Sequence, residues 1–269
     1  MNILKTILFF LVHSPFYPHW LNNRKFAQLE LKMIHYLSGD VLEVGAGDAS
    51  RKVKTLRINK KINSYLATDH NSWDDEFERI DESVSKINGL NSIFFGFQKR
   101  GKIDRVCDAM KLPFKNRKFD FHVSYEVLEH ISDPEQYFKE SIRVLKKGGK
   151  IIISTPVLYR VHGVGTKHEF DYYRYMPGFY LYISKKYNLK IEKFLFNTGY
   201  GTTFAQLTNQ FMIESIKKSG SVAKLFLLSV SPFLFFLTNL LGMILDLKPD
   251  MRFSNRYFVV FCKQGMTKH

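Results

Sequence analysis

The chain has 269 residues, 45% of them hydrophobic, and 40 Lys and Arg against 25 Asp and Glu, a formal net charge of +15. That length suits one large α/β domain or one domain with an appendage, and the apolar fraction excludes a disordered chain. Two cysteines, Cys107 and Cys262, both in apolar strand-like runs, exclude a disulfide framework and fit a reducing compartment, while the charge favours anionic partners such as nucleic acid, acidic headgroups or phosphate-bearing substrates.

Residues 3–12 are an apolar run with one Lys. No small-x-small cleavage site follows before Pro15, and the run is too short to cross a bilayer, so it reads as an interfacial or core-packing helix and not as a secretory signal. Phe16, Tyr17 and Trp20 suit a membrane–water boundary. Phe26, Leu29, Met33, Ile34 and Leu37 recur at helical spacing, which predicts an amphipathic helix over 22–37.

Residues 41–44 read as a buried parallel strand that runs into the turn Gly45-Ala46-Gly47 and then a helix over 49–58. The two glycines allow positive φ and let a ligand approach the backbone, and the helix points its free N–H groups at whatever lies above the strand. Glu43 is a carboxylate in an otherwise apolar strand and needs a partner. A diphosphate-binding turn of the G-x-G-x-x-G type would have glycine at Ser50, so a ligand with a positive or hydrogen-bond-donating group fits better. Residues 64–69 read as the second strand, ending on Asp69, 22 residues after Gly47. At that separation a strand-end acid reaches ribose hydroxyls; the alternative is an N-cap for the next helix.

Residues 73–87 are compatible with a helix. Phe94, Phe95 and Phe97 beside Lys99, Arg100 and Lys102 suit substrate contact, membrane contact or packing. Residues 103–107 read as the third strand, followed by a turn over 108–114. Residues 118–125 read as the fourth strand. Pro134 opens a helix whose apolar face is Tyr137, Phe138, Ile142, Val144 and Leu145, closed by the Lys- and Gly-rich stretch 146–150 before a fifth strand at 151–156.

These segments, in this order, resemble the class I S-adenosylmethionine-dependent methyltransferases. The acid followed by Gly-x-Gly is Glu43, Gly45 and Gly47; the family's third small residue is usually Gly, where this chain has Ala49. The D-A-x-x-L-P-F turn is residues 108–114, the stretch ending V-L-E-H-x-x-D-P is residues 119–134, and R-x-L-K-x-G-G through Pro is residues 143–156. The resemblance implies an α/β, Rossmann-like, doubly wound sheet of seven strands with the last antiparallel. It implies S-adenosyl-L-methionine as cofactor, held by Glu43, Gly45, Ala46, Gly47, Asp69, His70, Asp108, Ala109, Met110, Ser124 and Tyr125. It further implies that Asp108 accepts from the adenine amino group, that the next backbone N–H bonds the ring, and that Ser124, Tyr125 and Glu126 border the reacting methyl group. His130 is a candidate general base, since an ordinary imidazole titrates near neutrality; the alternative is that it orients a loop.

Beyond the fifth strand lie His162 and His168, further candidates for deprotonating an acceptor hydroxyl, and then Asp171, Tyr172 and Arg174, which suit a sugar-like acceptor. The alternative is that Tyr172, Tyr175 and Tyr180 pack and Arg174 is a solvated charge. A helix is predicted over roughly 171–187. Methyl transfer is an in-line displacement on a sulfonium, so positioning of the acceptor supplies much of the rate. Residues 189–196 alternate as a half-wet strand, and 256–262 read as the last strand, paired with it as a hairpin interrupted by the 59 residues 197–255. Within that insertion, residues 225–245 carry no charge and Pro232 breaks the run, which predicts two short helices meeting at a bend. Because the chain must rejoin the sheet, a membrane-dipping hairpin or an in-plane pair is expected, with Lys217, Lys218, Lys224 and Lys248 near anionic headgroups; a soluble lid or dimer surface is the alternative.

The division expected is 1–38 as N-terminal helices, 39–198 with 254–264 as the methyltransferase domain, and 199–253 as the inserted apolar module. The function expected is O-methylation of a sugar or lipid-linked glycan by a cytoplasmic protein peripheral to the inner membrane face. A quinone or other lipid-like acceptor is the alternative within the family. A nicotinamide-dependent reductase or a non-catalytic membrane-associated protein is the alternative outside it. No metal-ligand pattern is present, and scattered basic residues without a recognised module argue against nucleic acid.

Overall fold

The structure is a computed structural model and describes residues 13–70, 101–161 and 171–264. The expected helices at 3–12 and 73–87, the cluster of Phe94, Phe95 and Phe97, and the candidate bases His162 and His168 lie outside the described residues.

Helix α1 (Trp20–Tyr36) leads into β1 (Gly39–Val44), followed by α2 (Ser50–Ile58), β2 (Ile62–Asp69), β3 (Arg105–Val106), β4 (Phe119–Tyr125), α3 (Pro134–Val144), β5 (Leu145–Pro156), α4 (Pro177–Lys186), β6 (Leu189–Leu195), α5 (Tyr200–Lys218), α6 (Ser221–Leu245) and β7 (Arg256–Lys263). The seven strands form one sheet in the order β3-β2-β1-β4-β5-β7-β6. The first five run parallel, while β7 is antiparallel to both β5 and β6. The strand order reverses direction between β1 and β4. In an open parallel sheet that switch point leaves a crevice at the strands' C-terminal ends.

Strand periodicity assigns the two faces. On one face Leu29, Met33 and Leu37 cover Val41, Tyr65, Phe121, Val123, Ile152 and Val260. On the other, Tyr137 and Phe138 of α3 and Tyr180 and Ile183 of α4 cover Leu42, Val44, Ile151, Ile153, Val259 and Phe261. Adjacent residues such as Val41 and Leu42, or Ile151 and Ile152, thus enter opposite cores. Both faces are covered, which is why these strands read as continuous apolar runs.

Several expected elements differ. The third strand is only Arg105–Val106, both exposed, because it is an edge that pairs with β2 alone. The helix expected over 171–187 is α4, Pro177–Lys186, with residues 171–176 outside any helix or strand and Met176 extended. Pro177 disfavours helical backbone at Met176 and is itself tolerated at the helix start. Strand β5 starts at Leu145, and its register with β4 jumps from Phe119↔Leu145 to Phe121↔Lys150, so residues 146–149 bulge from the ladder and do not cap α3.

The largest difference is at Pro232. It lies inside α6, a single 25-residue helix, and the bend falls at Ser219–Gly220 between α5 and α6. The missing N–H of Pro232 frees the carbonyl of Leu228, four residues earlier, and Ser231 Oγ donates to it at 3.3 Å. The helix is continuous because a neighbouring hydroxyl takes over the lost bond.

Candidate active site

The switch-point crevice is a cavity of about 760 Å³. Its walls are Val44, Gly45 and Gly47 after β1, Asp69 and His70 at the end of β2, residues 106–110 after β3, and Glu126, Val127, His130 and Ile131 after β4. Ligand pockets of small molecules fall in this size range.

The glycine turn is required by its geometry. Gly45 has φ +70°, and a Cβ there would lie 2.3 Å from Val127 Cγ2. Gly47 has φ +55°, and a Cβ there would meet nothing within 4 Å. The first glycine lets two loops close on each other; the second leaves backbone bare toward the cavity. Ala49, where the family usually has glycine, also sits in the left-handed region at φ +50°. Gly45→Ala is expected to lower stability by about 2–4 kcal/mol, from left-handed strain and overpacking together. Adding Val127→Ala should recover the overpacking part only, measured by urea denaturation.

Asp69 organises the cavity's rim. Its Oδ2 accepts from the Gly47 N–H at 2.8 Å, and its Oδ1 accepts from the His70 N–H at 2.7 Å with His70 Nδ1 at 2.9 Å. The carboxylate thus ties the end of β2 to the glycine turn at the cavity mouth. Across the crevice, Asp108 Oδ1 accepts from the Met110 N–H at 2.7 Å, an Asx turn that holds the loop.

Of the residues expected to hold the cofactor, Gly45, Gly47, Asp69, His70, Asp108, Ala109 and Met110 line this cavity, and so does His130. Glu43, Ala46, Ser124 and Tyr125 do not. Glu43 is fully buried on the α1 face, where Arg51 Nη1 lies 3.0 Å from it and Tyr65 Oη donates to it at 2.9 Å. Burial works against the Arg51 charge, but Glu43 and Glu30 beside it hold the guanidinium above its usual pKa. In the folded chain the partner of Glu43 is the guanidinium of Arg51. Ala46 is buried with Ala49 and Ala67. Ser124 shares a 2.6 Å hydrogen bond with Tyr137 Oη in the α3 core, and Tyr125 faces Arg51, whose guanidinium carbon is 4.4 Å from its ring centre.

The acceptor residues expected after β5 also fall outside this lining. Asp171 and Arg174 form a two-pronged ion pair with each other, with Arg174 Nη2 to Asp171 Oδ2 at 2.6 Å. Arg174 also donates to the Arg160 carbonyl at 3.0 Å. Tyr172 is half exposed and its N–H donates to the Glu129 carbonyl at 2.9 Å, which ties this strap to the loop behind the cavity.

Glu126, adjacent to the expected Ser124 and Tyr125, is the residue of that trio that reaches the cavity. It takes φ +56°, and its carboxylate accepts from Ser154 Oγ at 2.9 Å and from Arg256 Nε at 3.0 Å. Nothing in the local sequence marks Arg256, which lies 130 positions away and arrives through the β5–β7 pairing. Glu129 is fully buried with neither carboxyl oxygen hydrogen-bonded; His130 Nε2 is 3.8 Å from Oε1. Burial, and next the charge of Glu126, push its carboxyl well above the ordinary 4.5. The folded chain holds that proton more tightly than the unfolded chain, so the stability it contributes is full below pH 4.5 and is lost as pH rises through the raised value. Glu129→Gln is expected to flatten this loss and raise the Tm at pH 8 while leaving pH 4 unchanged. Thermal melts across that range check it, and parallel declines in both proteins would contradict it.

Comparison with known proteins gives a family match for the middle of the chain. Residues 94–153 match a family described as methyltransferase domain. The uncharacterized protein MJ1123 of Methanocaldococcus jannaschii is 30% identical over 140 residues, 51% of this chain and 56% of that protein. The chloroplastic 2-methyl-6-phytyl-1,4-hydroquinone methyltransferase 1 of Oryza sativa subsp. japonica is 29% identical over 139 residues, 52% of this chain and 37% of that one. The chain thus spans about half or less of the length of these relatives. Among solved structures, the [4+2]-cyclase SpnF superposes with a TM-score of 0.51 at 15% identity, covering 88% of this chain and 81% of that one.

Residues 94–153 carry the methyltransferase-domain match, and the whole sheet has the fold of the class I S-adenosylmethionine-dependent methyltransferases. The family's seven-stranded sheet with its last strand antiparallel is present, and here a methyltransferase-fold hairpin, β6–β7, is split by the helices α5 and α6. That a cyclase shares the fold means chemistry has to be argued from the cavity and not from the sheet.

Proposed function

We propose that the chain transfers a methyl group from S-adenosylmethionine to an oxygen of a lipid-linked acceptor. The observation that carries the reading is that two acids, Asp69 and Asp108, share one cavity with a bare glycine turn at the switch point of the sheet. These residues fit the cofactor. Asp69 would accept from ribose hydroxyls, the Asp108 loop from the adenine edge, and Gly47 leaves room for the chain beside it. The bound cofactor supplies an electrophilic methyl group on a sulfonium. His130 lies on the same cavity wall, placed to hold or accept a proton from an acceptor hydroxyl. His162 and His168 stay candidates for that same proton, and Asp171, Tyr172 and Arg174 for contact with a sugar.

A lipid-linked acceptor is supported by a second, apolar cavity of about 250 Å³ between the loop after β5 and α5, lined by Leu158, Tyr200, Phe204, Leu207 and Phe253 among others. It offers a slot for a hydrocarbon tail. The head group is a glycan in the reading that the polar strap at 171–174 supports. The rice relative's name, a hydroquinone methyltransferase, favours a quinol ring as the second reading.

The test is incubation of the protein with methyl-labelled S-adenosylmethionine and a lipid extract, followed by phase partition. Label in the organic phase supports the reading. Mild acid then separates the readings, since it frees label as a water-soluble sugar from a glycolipid and leaves it organic on a quinol. Absence of transfer to any extract fraction would contradict the function.

A further inference from the structure

The helical hairpin is built inside out. Helix α5 buries Thr202, Thr203, Gln206, Asn209 and Gln210, while Leu207 and Phe211 on its other side are 40% and 73% exposed. Helix α6 buries Ser231, Asn239 and Gly242 with Phe235, while leucines, phenylalanines and Ile244 face outward along its length, Leu225 at 73%, Phe226 at 66% and Leu237 at 58%. A surface helix of a water-soluble protein has the opposite pattern.

The polar groups inside bind the two helices to each other and to the segment before α1. Asn239 Nδ2 donates to the carbonyls of Pro15 and Tyr17 at 2.8 and 2.9 Å, and Asn209 Nδ2 to that of Pro18 at 2.7 Å. Thr238 Oγ1 donates to Asn209 Oδ1. The helices cross where Gly201 meets Gly242, so closely that a Cβ on Gly201 would lie 2.1 Å from the Gly242 carbonyl oxygen. Small residues at the crossing and polar side chains between helices are how helices associate where hydrocarbon is the solvent.

We propose that this outer face lies in the plane of an anionic phospholipid bilayer, with α6 at the headgroup–acyl boundary. The charge distribution commits the occupant. No Asp or Glu occurs from Ser215 through Leu245; at the hairpin tip Lys217 pairs with Glu214 at 3.0 Å, while exposed Lys218 there and exposed Lys248 at the base bracket the apolar face. A protein partner would not require cations at both ends; acidic headgroups on a flat surface do. Both ends of the hairpin return to the sheet through β6 and β7, and a spanning hairpin would have to carry the exposed Lys217 and Lys218 at its tip through the hydrocarbon, so the pair lies on the bilayer. The docked state would bring the apolar cavity at Leu158 and Leu207 to the acyl region.

This proposal is independent of the reaction assigned above, and its test reads binding alone. The full chain is sedimented with vesicles of phosphatidylcholine, and of phosphatidylcholine with an equal part of phosphatidylglycerol. Co-sedimentation with the anionic vesicles that weakens in high salt and on pure phosphatidylcholine is expected. Phe226→Asp with Leu237→Asp, two exposed positions, should reduce it by at least about tenfold. Their thermal melt and S-adenosylmethionine binding should match the parent. A parent that stays in the supernatant with both vesicles overturns the proposal. So does a lipid-free dimer that the same pair of substitutions dissolves, because the face would then be covered by a second copy.

Discussion

Replacing Asp69 by Ala is expected to lower affinity for S-adenosylmethionine about a hundredfold, close to 3 kcal/mol. Two losses combine. The ribose hydroxyls lose a charged acceptor, and the Gly47 N–H loses the carboxylate that fixes the glycine turn at 2.8 Å. Asp69→Asn keeps one acceptor oxygen and should fall between parent and Ala, by about tenfold. Calorimetric titration checks the series. Parent-like affinity in Asp69→Ala would show that this acid shapes the turn without touching ligand, and the cofactor pose would have to change.

The second large effect is expected at Asp246, just after α6. Its buried carboxylate accepts from the backbone N–H groups of Gly199, Gly201 and Thr202 at 3.0, 2.8 and 2.9 Å, and from Thr202 Oγ1 at 2.6 Å. These are the donors at the start of α5 that have no partner within the helix, so the end of one helix caps the beginning of the other. Asp246→Ala strands three buried N–H groups and should cost about 3–5 kcal/mol, roughly 10 °C in Tm. Hydrogen exchange should quicken first at residues 199–203. Unchanged stability would mean that the hairpin is held by its lipid-like packing alone.

What the sequence makes legible follows from local physics. The central strands β1 and β5 carry apolar runs, and each glycine turn, Asx loop and helix-opening proline is a local device, so most of the sheet, the cavity rim at Gly45–Gly47, and the acids Asp69 and Asp108 can be read directly. The expected residues off the cavity lining have other partners. Glu43 and Tyr125 each adjoin a lining residue, Val44 and Glu126, but a strand sends neighbours to opposite faces and Arg51 packs against both; Ser124 is held by Tyr137 in the other core. Arg256 is brought to Glu126 by pairing of strands remote in the chain, which no window of sequence contains. Pro232 misled because a proline normally ends a helix, and the hydroxyl of Ser231 that compensates is an ordinary residue until the geometry is seen. Asp246 reads as a charge ending an apolar run; only the antiparallel return of α6 along α5 makes it a cap.

The most direct test of the account is titration of the purified chain with S-adenosylmethionine, followed by the same titration with a nicotinamide dinucleotide. Saturable binding of S-adenosylmethionine at one site per chain, weakened by Asp69→Ala and absent with the dinucleotide, is the predicted result. Tight dinucleotide binding with no heat from S-adenosylmethionine would contradict it and assign the cavity to another chemistry.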